Sequence, residues 1–382
     1  MELAEARLIE THPVASSARV EKGARSSYVP AVDWLKGVAI ILVVCVHAKV
    51  YETSLFHLHV VNRAVPIFLV LLGVTSETFW ERHAGDSTRE RLRLWYRRRF
   101  TRLAPAVWAM AAVWWGAVLL LHQTEQLGLG WREAVLCFLG YSPWMGTAWF
   151  VTLILQLVLV LPALRWVAVR LGPFVMLPLT AAICAYTTFH VWDLVELGRA
   201  YVSTNLPQPG FFYNWIFVPR VLWQVTAGIF VARYLRARPG VTATVVAAAI
   251  WAVGTRILVE LPLSGSEAFI GPVRHQAIEN LLDVPLSIAL LGLFCSIERW
   301  QRNVFLRFLA FVGRASWGIY VGHALVYELL HLVGIGIETG PESWRNTYAL
   351  FLFVVGVTLA VIGGWLRRLV TRAARGPAPA EA

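Results

Sequence analysis

The sequence predicts an all-α, polytopic membrane protein of about ten transmembrane helices, with both termini on the cytoplasmic side. Three observations carry this. The 382 residues are 58% hydrophobic and only 15% charged, too little charge to cover a soluble domain of this length. Apolar runs of roughly twenty residues recur along the chain, each long enough to cross a hydrocarbon core of about 30 Å. Basic residues concentrate between alternate runs, as the positive-inside rule asks of cytoplasmic loops.

Residues 1–30 mix small, polar and charged types around Pro13 and Pro30 and predict a mobile cytoplasmic tail. No small-residue cleavage site precedes the first apolar run, so a removable signal peptide is not expected. Ten spans are then placed at 33–51, 61–80, 103–122, 148–168, 173–192, 212–234, 241–260, 278–297, 312–333 and 346–368. They form one transmembrane domain over residues 31–370, followed by a short disordered tail at 371–382.

The arginines fix the expected sidedness. One set of segments holds Arg7, Arg19, Lys22 and Arg25, then Arg82 through Arg102, Arg165 with Arg170, Arg233 to Arg238, Arg299 to Arg307, and Arg367 to Arg375. The intervening loops hold little more than Arg132, Arg199, Arg274 and Arg345. The net charge of +11 is therefore read as a topology signal, and as a cluster that an anionic cofactor could use, rather than as a nucleic-acid surface. The 18 Trp and 11 Tyr suit the headgroup level. Cys45, Cys137, Cys184 and Cys295 each lie in an apolar stretch without a C-x-x-C pair, and read as small buried hydrophobes with no metal or disulfide. No internal repeat is evident, which weakens an inverted-repeat transporter reading. Two loops are more than connectors: the Arg-dense stretch from Glu81 to Arg102, and the outer stretch from Gln123 to Thr147, whose aromatics suit the membrane surface.

Ionisable groups within apolar runs are the candidates for chemistry, because they are costly there unless they face a cavity or a partner. His47 stands near the outer end of the first span, either catalytic or satisfied by a backbone carbonyl. Asp33 and Lys36 open the same helix on the inner side, where Asp33 could equally be a helix cap. Asp33 cannot orient His47, since fourteen residues of helix separate them by about 21 Å. A carboxylate that orients His47 must come from another helix. Arg99 and Arg102 share a helix face at the mouth of the third span, where two guanidinium forks suit either phosphate groups or anionic lipid. Arg63, Arg220, Arg256, Glu260, Glu279 and Asp283 fall in the outer half and suggest, with His47, a polar chamber opening outward. Arg256 and Glu260, four apart, could simply pair with each other. Asp283 lies inside the eighth span and needs a partner. His323 falls near mid-membrane in the ninth span, whose small residues permit close packing. His47 to Glu52 has the H-x4-D spacing but carries Glu at a span end. There is no G-x-S-x-G, no Walker loop and no H-E-x-x-H.

Four stretches together resemble the acyltransferase 3 family of bacterial membrane acyltransferases. The run from Val32-Asp33-Trp34-Leu35-Lys36-Gly37 to His47 is similar to the family's opening Asp-x-Leu-Arg-Gly run ending in histidine. Val65-Pro66-Ile67-Phe68 through Gly73 is the second stretch, and the R-x-x-R of Arg99 and Arg102, followed by Leu103 and Pro105, is the third. Gly313 to His323 resembles Gly-x-x-Ser-x-Gly-Ile-Tyr-Leu-x-His, and Trp149-Phe150 with Pro162 fits a weaker fifth element. The order and spacing cover nearly the whole chain. Lys36 departs from the commoner Arg, and Leu72-Gly73 from a Ser-Gly pair.

The resemblance implies a ten-span fold, acyl-CoA entering from the cytoplasm, and a hydroxyl-bearing acceptor, often a glycan. It makes His47 the catalytic residue and ties Arg99 and Arg102 to the donor. The resulting expectation is a multi-pass protein of the cell's inner (plasma) membrane that moves an acyl group, acetyl by the family likeness, from acyl-CoA to a hydroxyl of a glycan, lipid-linked sugar or other small acceptor. His47 and Asp283 are the expected catalytic residues. Arg99, Arg102, Lys36 and Asp33 hold the donor, and Arg220, Arg256, Glu260 and His323 face the acceptor. Membrane lipids are the expected surroundings, a homodimer is left open, and neither metal nor nucleic acid is expected. The rival reading is a transporter or flippase of a polar or lipid-linked substrate, whose pathway the same buried charges could mark. Reporter fusions check the topology: those after Gly130 and Gly340 should read outside and those after Gly85 and Pro239 inside. Reversal at any two sites overturns the ten-span arrangement.

Overall fold

The computed structural model describes residues 28–50, 60–124, 129–140, 146–190, 218–260, 270–335 and 342–373. Of the tails expected at 1–30 and 371–382, residues 1–27 and 374–382 lie outside these, as do Glu52 and Arg199, while Pro30 and residues 371–373 belong to helices. The described part is helical throughout. Its α-helices are α1 (Pro30–His47), α2 (Ala64–Arg82), α3 (Thr88–Leu120), α4 (Trp131–Phe138), α5 (Trp149–Leu171), α6 (Pro173–Phe189), α7 (Leu222–Leu235), α8 (Val241–Glu260), α9 (Ile270–Ser296), α10 (Val304–Leu332) and α11 (Glu342–Ala373). Short 3-10 turns over Val61–Arg63, Gly146–Ala148 and Val218–Val221 lead into α2, α5 and α7.

The described parts of the ten apolar segments read from the sequence fall mainly on helices. Seven described helices are long and apolar enough to cross a membrane, and Pro173–Phe189 and Val241–Ile257 are apolar but shorter. Leu120, Phe174, Val246 and Leu350 are exposed among many other large apolar side chains. An apolar surface this extensive is stable against hydrocarbon, not against water. The chain is a multi-pass membrane protein.

Helix starts follow local chemistry. Ser87 and Glu90 form a reciprocal capping box, so α3 begins at Thr88. The arginine-dense stretch read as a loop before residue 103 is thus the first half of one long helix, which explains why Arg99 and Arg102 are held rigidly. Asn303 caps α10 by accepting from the Phe305 amide at 2.8 Å. Pro30 and Pro173 occupy first-turn positions, where the missing N–H costs nothing. In the outer stretch, α4 exposes Trp131 and Phe138, and the Trp108 indole of α3 donates to the Phe138 carbonyl at 3.1 Å.

Packing rests on close helix contacts of the kind small residues allow. A Cβ on Gly37 of α1 would fall on the Leu309 carbonyl oxygen of α10. A Cβ on Gly313 of α10 would fall on the Asp33 carbonyl oxygen of α1. The same α10 meets α11 where Gly322 lies against Gly356 and Gly318 against Ala360. The sequence expectation that the ninth span packs closely is borne out. Trp34, Leu35, Ile67, Leu71, Leu291 and Leu309 fill the core on one side of this contact. Trp114, Leu153, Leu157 and Val312 fill the core on the other. All four thiols are free, with Cys137 and Cys184 buried.

Gly313→Leu should therefore force α1 and α10 apart and cost at least about 1–3 kcal/mol, the usual range for overpacking. Gly363→Leu, with open space around the glycine, should leave stability near wild type. Thermal unfolding in detergent, with monodispersity by size exclusion, compares the two; equal stability would mean the helices do not touch here.

Candidate functional site

Many of the candidate side chains gather at two levels of the α1–α10 pair, a basic end and a histidine end. At the basic end Pro30 starts α1 and places Asp33 in its first turn. The Asp33 carboxylate accepts from the Tyr28 hydroxyl at 3.0 Å, lies 3.7 Å from the Lys36 ammonium, and lies 4.0 Å from the Arg314 guanidinium of α10. Partial burial and the adjoining carboxylate raise the Tyr28 hydroxyl above its ordinary pKa. Arg102 of α3 reaches across to the Arg314 carbonyl at 3.5 Å. Lys36 lies within electrostatic reach of Arg102 and Arg99, and Arg102 within that of Arg367.

Two helices, α1 and α3, thus bring together all four residues assigned to the donor from sequence, Asp33, Lys36, Arg99 and Arg102. Arg314 and Arg367 join them. One carboxylate faces five cations, so the cluster suits an anion of several charges. Arg99 is steadied by the Trp95 ring, 4.4 Å from its guanidinium carbon, and Trp95 is itself pinned by donating to the Val158 carbonyl at 3.0 Å. Arg314 was readable only as part of the Gly313–His323 motif; its place beside Asp33 depends on how α10 packs.

At the histidine end, His47 Nδ1 lies 2.8 Å from His323 Nε2, and His323 Nδ1 lies 3.0 Å from the Ile319 carbonyl oxygen. His323 is fully buried, whereas His47 keeps partial exposure. The Tyr327 ring stands 6.0 Å from His47 and the Tyr320 ring 5.4 Å from His323. Below Tyr327, buried Glu328 accepts from the Thr147 amide at 2.8 Å and from its hydroxyl at 2.7 Å, and the Tyr320 hydroxyl donates to the Thr147 carbonyl. This fastens the start of α5 to α10 beside the histidines. Glu328 and Thr147 were missed in the sequence, although a carboxylate within the ninth apolar run was the signal for one of them.

Asp283 stands elsewhere. Its carboxylate accepts from Gln224 at 3.2 Å and faces Arg63 at 3.6 Å, while Arg63 also donates to Glu279 at 2.9 Å. Arg220, buried, is within electrostatic reach of Asp283 and Arg63. Gln224 and Asn280 extend this network to Thr188, so it binds α6, α7, α9 and the turn before α2. The partner that Asp283 needed is therefore Arg63. The sequence names no particular carboxylate for His47, and among the described residues it bonds to the His323 imidazole. His323, expected to face the acceptor, is fully buried against His47. Arg256 is exposed on α8, and Glu260 closes that helix with its side chain outside the described set.

A third buried cluster went unread. Glu77 of α2, fully buried, takes a two-point contact from Arg165 of α5 at 2.6 and 3.1 Å and a further bond from Arg233 of α7 at 3.0 Å. A carboxylate in the second apolar run was its signal; Arg165 and Arg233 read only as topology. Among the described residues no group of three His, Cys, Asp or Glu side chains is placed to hold a metal ion.

From Lys36 to His47 is eleven residues of one helix, an axial rise of about 16 Å. An anion held at the basic end could therefore present a reactive group at the histidine end on an arm of that length. Residues 29–366 match the sequence model of a family described as an acyltransferase domain. No curated protein and no solved structure matches the chain.

Proposed function

The chain belongs to the acyltransferase 3 family, and from that premise we propose that it moves an acyl group, acetyl by the family likeness, from cytoplasmic acyl-CoA to a hydroxyl of a glycan, lipid-linked sugar or other small acceptor at the plasma membrane. The observation that carries this reading is the placement of the cationic cluster and His47 at opposite ends of α1.

The phosphates of the donor sit among Lys36, Arg99, Arg102 and Arg314. Arginine forks suit phosphate oxygens, and Lys36 adds a point charge. The thioester arm follows α1 toward the histidine end, where the acyl carbon meets the acceptor. His47 takes the proton of the acceptor hydroxyl as general base. The oxygen attacks the thioester carbonyl, the C–S bond breaks, and the CoA thiolate recovers the proton from His47. The separate buried network of Arg63, Arg220 and Asp283 offers polar groups that suit a hydroxyl-rich acceptor. Asp33 orders the cationic cluster by pairing with Lys36 and Arg314.

Purified protein in nanodiscs, supplied with acyl-CoA, tests this directly. Wild type should cleave the thioester in an acceptor-dependent manner. His47→Ala should lower kcat about a hundredfold or more, the range for removing a general base, while donor binding persists. Arg102→Ala should raise the KM for acyl-CoA about tenfold, since a lost charged hydrogen bond costs about 1.5–3 kcal/mol. Thioester turnover that is indifferent to His47 would overturn the assignment.

A further inference from the structure

We propose that His323 is a positioning residue that fixes the tautomer of His47, so that the pair acts as an uncharged two-imidazole base with His47 Nε2 as its working atom. This rests on the acyl-transfer reading above. The Ile319 carbonyl can only accept a hydrogen bond. His323 Nδ1, 3.0 Å from it, must therefore carry the proton. In a neutral ring His323 Nε2 then presents a lone pair. The atom 2.8 Å from that lone pair is His47 Nδ1, and two bare nitrogens do not approach so closely. His47 Nδ1 must be the N–H donor, which leaves His47 Nε2 unprotonated and able to accept the proton of a hydroxyl.

The alternative is a doubly protonated His323 that donates to His47. It would place a cation on a fully buried side chain. The buried carboxylate one turn further along α10, Glu328, is already engaged by both donors of Thr147. An unpaired buried charge is expensive, the more so inside a membrane protein. The resting pair is therefore neutral.

Ring geometry agrees. The centroids lie 5.0 Å apart while the facing nitrogens lie 2.8 Å apart, with the planes tilted by 22°. The rings therefore meet edge to edge along the N···N line rather than face to face, as an N–H···N bond requires. The chemistry differs from that of a histidine backed by a carboxylate. When His47 Nε2 takes the hydroxyl proton, the pair gains one positive charge. The charge rests on the partly exposed His47, whose Nδ1–H stays bonded to the His323 Nε2 lone pair while His323 keeps its own N–H on Ile319. Return of the Nε2 proton to the departing thiolate restores the neutral pair, so protons balance over the cycle.

The test combines kinetics with nitrogen NMR on full-length protein in nanodiscs. Histidine ring nitrogens are labelled with 15N, and His47 is assigned by the signal lost in His47→Ala. Wild type should show His47 protonated at Nδ1 alone. His323→Leu, which offers no acceptor, should lower kcat about a hundredfold with the KM for acyl-CoA unchanged, and should shift His47 toward the Nε2–H tautomer. His323→Gln restores an oxygen acceptor facing His47 and should recover at least tenfold of that loss, together with the Nδ1–H signal. An Nε2–H tautomer in wild type overturns the proposal without any variant, which covers the case that His323→Leu fails to fold. So does a His323→Leu enzyme with wild-type kcat. A wild-type protein that shows the Nδ1–H signal but transfers no acyl group would instead refute the acyl-transfer reading and leave the pair standing.

Discussion

The backbone contact between α1 and α10 sets the geometry on which both ends of the site depend. The two helices cross with Gly37 against Leu309 and Gly313 against Asp33, closer than any side chain would allow. They run in the same direction, and each carries its histidine ten residues beyond its glycine, a rise of about 15 Å in both. Equal rises from one crossing point bring His47 and His323 to the same level. The same contact brings Arg314 to Asp33, and so closes the cationic cluster around the first turn of α1. A single packing contact thus registers the cationic cluster and the histidine pair against each other.

Buried charge fastens the remaining helices to this pair. Within hydrocarbon an unmatched ion is costly, so each buried charge recruits partners from neighbouring helices. Glu77 joins α2, α5 and α7, and its two arginine partners share its two oxygens. Arg63 joins the start of α2 to α9 through Glu279 and Asp283. Replacing one partner in such a cluster leaves the other uncompensated, which costs more than the intact pair contributes. These clusters therefore specify which helices adjoin, and they hold the walls around α1 and α10 still.

Much of this was legible in the sequence, for reasons that differ from residue to residue. Asp33 with Lys36, and Arg99 with Arg102, were legible as two pairs from charge and helical spacing, and the two pairs converge. His47 stood out as an ionisable group in an apolar run. The helical start of α3 was not legible as such, because a dense arginine run reads as a loop unless the Ser87–Glu90 capping box is weighed against it. Asp283 was correctly marked as needing a partner, but the partner lies more than two hundred residues earlier in the chain, at Arg63. Nothing in the spacing of the two residues carries that information.

Where the apolar segments lie, which loops are basic, and which ionisable residues sit in apolar runs can be read from the chain alone. Each of these follows from the transfer of short stretches of chain between water and lipid, a local property of composition. Which ionisable groups meet is settled by packing. His47 and His323 are 276 residues apart in sequence and 2.8 Å apart in space. That meeting depends on helix register and crossing, which close contacts between backbones impose and which hydropathy does not encode.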